Sequence, residues 1–259
     1  MNMQPLYITF LHMEPSEVIL VVSITLFAGI IKGLVGFAMP LIMITGFAMF
    51  LSLELSIVAM IIPTLFTNFY QAFRDGVTPA LTSIKIFWKY LTILLIMIIV
   101  GSNFITVLST NILFLLMGTS IFIFTLFQFF KNNINFKNNS LMELIFGFFA
   151  GLFGGLTGTW GPPTVAYFLT LKLEKNFQLR SQGIIYFLGS VFFVYAHIQT
   201  SIINLTSITF SFVLLLPAII GVFIGNIIGT KIDGKKFTSA TQFLLLITSL
   251  NLIRRGLGF

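Results

Sequence analysis

The chain contains no cysteine and very few charged residues. The missing thiols exclude disulfide bonds, a cysteine nucleophile and cysteine-ligated metal. Only 8% of the 259 residues are Asp, Glu, Lys or Arg, and 57% are hydrophobic. A soluble domain carries about 25% charged residues. A chain of this composition cannot cover its exterior with polar side chains, so we conclude that its solvent is lipid.

Signatures of catalysis are also missing. The sequence has no Walker A motif and no H-E-x-x-H pair, and Ser190 does not stand in a G-x-S-x-G elbow. We therefore predict that the protein is not an enzyme and uses no cofactor or metal. The net charge of +7 is interpreted as basic loops that fix membrane orientation, with no nucleic-acid partner.

Apolar segments dominate what is present. Residues 90–130 and 181–230 carry no charge at all, and each run exceeds the roughly 20 residues that cross a bilayer. The sequence predicts an all-α polytopic membrane protein with helices near 17–31, 37–51, 55–72, 84–107, 111–130, 141–153, 161–171, 181–199, 207–229 and 237–253. A polar linker at 131–140 separates a first membrane repeat, 1–130, from a second, 141–259, within one membrane domain.

Two glycine-proline breaks interrupt these apolar segments and match each other. Residues 28–40 and 150–162 share the pattern A-G-x-x-x-G-L-x-G-x-x-x-P at an offset of 122 residues. Matched breaks in two halves of a membrane protein are typical of a transporter's substrate site. The predicted pieces beside the breaks are short, about 15 and 15 residues in the first half and about 13 and 11 in the second.

Two topologies fit the breaks. Either each broken helix crosses the membrane once, or each forms a re-entrant hairpin beside three transmembrane helices. The hairpin topology places 11 basic loop residues in the cytoplasm and 2 outside, whereas eight spans split them 6 to 7. The positive-inside rule favours hairpins, and hence an inverted repeat with both termini outside.

The breaks, the linker and the paired halves together resemble the sulfite exporter TauE/SafE family, over residues 18 to 256. That family has a glycine-rich stretch ending in proline early in each half. It also has a late helix with glycines every four residues, as at Gly221, Gly225 and Gly229 here. The resemblance implies movement of sulfite, sulfonates or related small organic anions. The chain departs from the family pattern at Lys32, Phe37, Thr157, Thr159 and Trp160, so the substrate is not fixed by it.

Candidate substrate-binding residues lie mainly at the two breaks. Backbone N–H groups at the start of each second half-helix favour an anion, and Lys32 is a cation that is costly to place between apolar segments. The predicted set is Lys32, Gly33, Gly36, Phe37, Pro40, Asn68, Gly155, Thr157, Gly158, Thr159, Trp160, Gly161, Pro162 and Gln182. Gln71, Asn103, Tyr186 and Asn226 either line a path or bond between helices.

We therefore predict a secondary transporter for a small organic or sulfur-containing anion in the cell (inner) membrane. The alternatives are a non-transporting or receptor-like membrane subunit and, less favoured, an intramembrane enzyme. The row Gly221, Gly225 and Gly229 predicts close helix packing, either inside the bundle or between subunits of a homo-oligomer. The direction of transport and a coupling ion are left open.

Overall fold

A computed structural model describes residues 13–129, 140–171, 173, 175–199, 203, 205–229, 243, 246–247 and 249–258. The first half contains α1 (Pro15–Val35), α2 (Met39–Phe47), α3 (Leu53–Phe73), α4 (Val77–Ile86), α5 (Trp88–Asn103) and α6 (Thr110–Phe129). The second half contains α7 (Ser140–Thr157), α8 (Gly161–Thr170), α9 (Lys175–Gln199), α10 (Leu205–Val213) and α11 (Leu215–Gly229). Residues 249–256 are also helical.

The described residues confirm an all-helical polytopic membrane protein. They contain no strand, and five segments are long and apolar enough to cross a membrane: α1, α3, α7, most of α9, and residues 208–229, which combine part of α10 with α11. A sixth span results if α4 and α5 are counted together. Large apolar side chains such as Ile19, Met49 and Leu216 are exposed on the outside of the bundle, as lipid requires. The predicted linker lies outside the described residues except for Ser140, which begins α7.

Helix boundaries recur at the same offset as the sequence breaks. The ends of α1 and α7, at Val35 and Thr157, lie 122 residues apart, as do the starts of α2 and α8. The starts of α3 and α9, at Leu53 and Lys175, have this spacing too. The two halves thus build the same succession of a long helix, a short helix and a long helix.

The short helices fold back along the long ones. A methyl group placed on Gly46, at the end of α2, would lie 2.9 Å from the Ile24 side chain in the middle of α1. In the second half, the Tyr167 hydroxyl near the end of α8 donates to Glu143 at the start of α7, at 3.4 Å. Each break is therefore the tip of a helical hairpin.

The centre of the bundle is the pair α3 and α9, which are the most buried of the candidate spans. They run antiparallel, because Asn68 lies beside Ser190 whereas Gln71, one turn later on α3, lies beside Leu179. Around this pair, α1 packs on α11 and α5 packs on α7. The first helix of each half thus packs against a late helix of the other half.

Glycines allow both outer pairs to approach closely. A methyl group on Gly221 would lie 2.9 Å from the Gly29 Cα, and one on Gly155 would lie 3.0 Å from the Gly101 Cα. No larger side chain fits between backbones at these distances. The predicted packing role of Gly221 and Gly225 is confirmed inside the chain, so this row gives no support to a homo-oligomer.

Several predicted segments differ from the structure. The helices before the breaks are longer than predicted, with 21 residues in α1 and 18 in α7. The helices after the breaks are short, with 9 residues in α2 and 10 in α8. Capping extends α1 in both directions: Pro15 begins it behind a capping box between Glu14 and Glu17, and Gly36 ends it in the left-handed conformation.

The predicted helix at 84–107 is two helices, α4 and α5, bent by 85° at Phe87. Phe87 is non-helical and buried, and its ring packs against those of Tyr167, Phe168 and Phe177. The predicted helix at 207–229 is interrupted at Leu214. Pro217 accounts for that interruption, because it lacks the N–H that would bond to the carbonyl of Val213.

Candidate functional site

The two hairpin tips meet around one cavity, which we call the tip cavity. Its empty space, counted with the open solvent at its mouth, is about 300 Å³. The cavity lies between the first tip, the second tip, α3 and α9, and its lining residues are Lys32, Phe37, Ala38, Pro40, Leu41, Asn68, Gly158, Thr159, Trp160, Gly161, Pro162 and Tyr186. The structure therefore brings together residues from both predicted breaks, although they are more than 100 positions apart.

The glycine of each tip turns the backbone in the same way, although the residue before the short helix differs, with φ of 76° at Ala38 and −70° at Trp160. Gly36 and Gly158 occupy equivalent positions and have φ values of 81° and 68°. Each N–H bonds to the carbonyl four residues earlier, that of Lys32 at 2.7 Å and that of Gly154 at 2.6 Å. Residues with a side chain rarely adopt positive φ, so glycine at this point of the pattern is a conformational requirement.

The short helices begin at the cavity with unpaired donors. The preceding residues, Ala38 and Trp160, make no side-chain cap hydrogen bond. Proline in the first turn of each helix has no N–H to lose. The N–H groups of Met39, Leu41 and Gly161 precede the first intrahelical bond of their helices, so these donors and the positive helix ends favour an anion.

Lys32 places a buried basic side chain at the cavity. Its side chain is only 3% exposed, and its ammonium donates to Oδ1 of Asn68. The Asn68 amide is itself held in place, because Nδ2 donates to the Tyr186 carbonyl at 3.1 Å and to Oγ of Ser190 at 2.6 Å. The ammonium also lies 5.8 Å from the centre of the Tyr186 ring.

No carboxylate compensates this charge within the described ranges. The ion pairs found there join Arg74 and Arg180 to Asp75, with N to O distances of 3.7 and 4.0 Å. A buried ammonium without a counter-ion costs several kcal/mol. An anion that entered the tip cavity would offset this cost.

The second tip contributes hydroxyl groups and a wall. The hydroxyls of Thr157 and Thr159 bond to each other, and Thr157 also donates to the Phe153 carbonyl at 2.8 Å. Trp160 is buried, and its ring packs edge-on against Phe193, with the ring centres 5.6 Å apart. Thr159 and Trp160 line the cavity, whereas Thr157 lies behind them.

The remaining predicted site residues lie elsewhere. Gly33 and Gly36 line a neighbouring cavity together with Gln71 and Asn226. Gly155 faces α5 in the glycine crossing, where it packs against backbone. Gln182 is buried beside Gly36, with its Oε1 unpaired within the described residues.

Tyr186, predicted only as a path or packing residue, lines the tip cavity, and Asn103 bonds to the Ile99 carbonyl on an exposed surface. The prediction missed Ser190, which holds Asn68 in place. A signal was available, because Ser190 stands 122 residues after Asn68, at the offset of the two breaks. Polar side chains at equivalent positions of antiparallel central helices meet where the halves face each other.

Fold and site together define a multi-pass membrane protein with a cavity between its two hairpin tips. The family model for the sulfite exporter TauE/SafE matches residues 21–252, and the chain belongs to that family. This confirms the resemblance found in the sequence and indicates a membrane transporter of sulfite or related anions rather than an enzyme. Neither a curated protein nor a solved structure matches the chain.

Proposed function

We propose that the protein is a secondary transporter that binds one small anion, such as sulfite or a sulfonate, between its two hairpin tips. The observation that carries the proposal is Lys32, a buried cation at the meeting point of both tips with no carboxylate partner among the described residues. The helix starts of α2 and α8 add partial positive charges of about half a unit each. Their summed field suits an anion and disfavours a cation.

The proposed arrangement is an inverted repeat in the inner membrane with both termini outside. Three observations support it: the 122-residue recurrence of helix ends, the folding back of α2 and α8, and the antiparallel course of the equivalent helices α3 and α9. A pair of inverted halves around a central site is the design that permits alternating access.

The decisive experiment compares anion uptake by liposomes that contain only this protein or its Lys32→Met variant. Methionine keeps the length of the side chain and removes its charge. Losing a hydrogen bond to a charged group costs about 1.5–3 kcal/mol. We therefore expect the half-saturating anion concentration to rise about ten- to hundredfold.

Lys89→Met is the matched control, since Lys89 is partly exposed and bonds to Ser140 away from the cavity. Unchanged uptake by Lys32→Met would remove the proposed role of the charge. Absence of uptake by the unmodified protein, over a panel of sulfur oxoanions, sulfonates and carboxylates, would favour a non-transporting subunit instead. Preferred uptake of a cation would contradict the anion assignment.

The topology has its own test, which uses the absence of native cysteine. Single cysteines at Asn133 and Ser201 are expected to react with membrane-impermeant thiol reagents from opposite sides of the membrane, with Asn133 on the cytoplasmic side. Reaction of both from one side would contradict the inverted arrangement and leave the anion site to be judged by uptake alone.

A further inference from the structure

A second cavity adjoins the tip cavity at Lys32. Its empty space is about 360 Å³, and it lies between α1, α3, α9 and α11. The lining residues are Lys32, Gly33, Leu34, Gly36, Thr67, Tyr70, Gln71, Arg74, Leu179, Val222 and Asn226. Lys32 lines both cavities, so an anion that moves from one to the other passes the same ammonium.

The polar groups of this cavity are not all hydrogen-bonded within the described part of the protein. Gln71 is buried; its Nε2 donates to the Leu179 carbonyl at 3.1 Å, but its Oε1 has no partner in the described part of the chain. Asn226, which also lines the cavity, is only partly buried. The unpaired, buried Gln71 oxygen points to water or a solute in the cavity, because an empty polar cavity leaves it unsatisfied at a cost.

A basic residue lies at each end of the second cavity. Lys32 is fully buried at one end, whereas the Arg74 side chain, at the other, is 31% exposed. The nearest carboxylate, Asp75, is 3.7 Å from Nε of Arg74, which leaves the remaining donors of the guanidinium for a solute. A cleft with cations at its mouth and its base raises the local concentration of anions.

The equivalent position in the other half carries a different polar residue. A methyl group on Gly33 would meet the backbone N of Asn226, and one on Gly155 would meet that of Ser102, so Asn226 and Ser102 correspond. Ser102 is buried, and its hydroxyl donates to the Ile99 carbonyl of its own helix at 2.8 Å. The two glycine crossings share a backbone geometry, but the Ser102 hydroxyl bonds within its own helix whereas Asn226 lines the second cavity.

We propose that the cavity bounded by Lys32, Gln71, Arg74 and Asn226 is a water-filled vestibule that admits the transported small anion to Lys32 from the Arg74 side. This inference rests on the proposed function and adds a route to it. The vestibule selects by charge before the anion reaches the tip cavity.

Single-cysteine labelling tests the vestibule without requiring transport. In Asn226→Cys, reconstituted in liposomes, the rates of reaction with two methanethiosulfonate reagents of similar size are compared, one carrying a sulfonate and one a trimethylammonium group. We expect the anionic reagent to react at least about tenfold faster relative to its rate with a free thiol. Arg74→Gln in the same background should reduce that preference severalfold.

Ser102→Cys is the matched control, and it should react slowly with both reagents. The inference is overturned if Asn226→Cys resists both water-soluble reagents, including the case in which only a lipophilic maleimide reacts. A preference for the cationic reagent, or equal rates at the two positions, also overturns it. Charge-selective labelling of Asn226→Cys without anion uptake would leave the vestibule standing and count against the proposed function alone.

Discussion

The two hairpin tips share a left-handed glycine turn and differ in the residues around it. Both contain a left-handed glycine, Gly36 or Gly158, and both lead into a short helix with proline in its first turn. The side chains do not match. The first tip carries Lys32, and the residue at the equivalent point of the second is Gly154.

Six residues further along, the larger side chain belongs to the second tip. Trp160 of the second tip corresponds to Ala38 of the first. The ring of Trp160 occupies the space beside Gly154, since a methyl group there would lie 3.0 Å from it. One tip therefore contributes Lys32 and the other contributes Trp160 and Thr159. The two breaks share a sequence pattern, and a few different side chains make the cavity between them asymmetric.

The largest effect expected from breaking this division comes from Asn68→Asp. The new carboxylate would stand where Oδ1 now accepts from Lys32 and would give the ammonium a permanent counter-ion. A substrate anion must then displace it, so we expect the dissociation constant to rise at least about tenfold. Isothermal titration of the purified protein with the transported anion measures the change.

Asn103→Asp is the control for this substitution, since Asn103 lies on an exposed part of α5. It adds the same charge far from the tip cavity and should leave the dissociation constant within about twofold, as expected for a distant exposed charge. Equal weakening by both variants would mean that net charge, rather than the division between tips, controls binding.

The shared glycine turn predicts equal sensitivity of the two tips to alanine. Gly36→Ala and Gly158→Ala should each lower the free energy of unfolding by about 1–2 kcal/mol, the cost of a left-handed residue with a Cβ. Crowding adds to this, because the new methyl group meets Leu179 in one case and Met60 in the other. Melting temperatures in one detergent report both effects.

Gly229→Ala provides the comparison for these melts. Gly229 is helical, and its added methyl group would make only ordinary contacts with Leu34, the nearest at 3.4 Å. The melting temperature of the Gly229→Ala protein should stay the same or rise, since alanine favours a helix. If Gly36→Ala kept the melting temperature of the unmodified protein while Gly158→Ala lowered it, only the second tip would need the left-handed turn.

The smallest effect is expected at Ser190. Ser190→Ala removes one of the two acceptors of the Asn68 amide and leaves the Tyr186 carbonyl. We expect anion binding to weaken by about 0.5–1.5 kcal/mol, the usual net worth of a hydrogen bond. Ser102→Ala, whose hydroxyl bonds within its own helix, should have no effect on binding; a comparable loss there would deny Ser190 a positioning role.

The paired breaks were predictable because glycine and proline act locally. The pattern located Gly36, Gly158, Pro40 and Pro162, and their turns need no information from elsewhere in the chain. Helix lengths were less predictable. In a lipid-exposed chain the apolar signal continues through a helix end, so the true ends of α1 and α7 depend on capping and on packing against α11 and α5.

Contacts between distant helices lay beyond the sequence pattern. Lys32 was recognised as unusual, but its bond to Asn68 joins α1 to α3, which no local pattern specifies. The bend at Phe87 is likewise a product of tertiary packing, because three aromatic rings from α8 and α9 surround that side chain. Repeat offsets carry information that residue-by-residue patterns miss, as Ser190 shows.

The exchange of outer helices between the halves has a consequence for biogenesis. Translation makes α1 well before α11, the helix against which its glycines pack, and it makes α5 before α7. Neither half can cover its own glycine faces, so α1 has no partner in the membrane until α11 has been synthesised. Formation of the two glycine crossings then joins the halves into one unit.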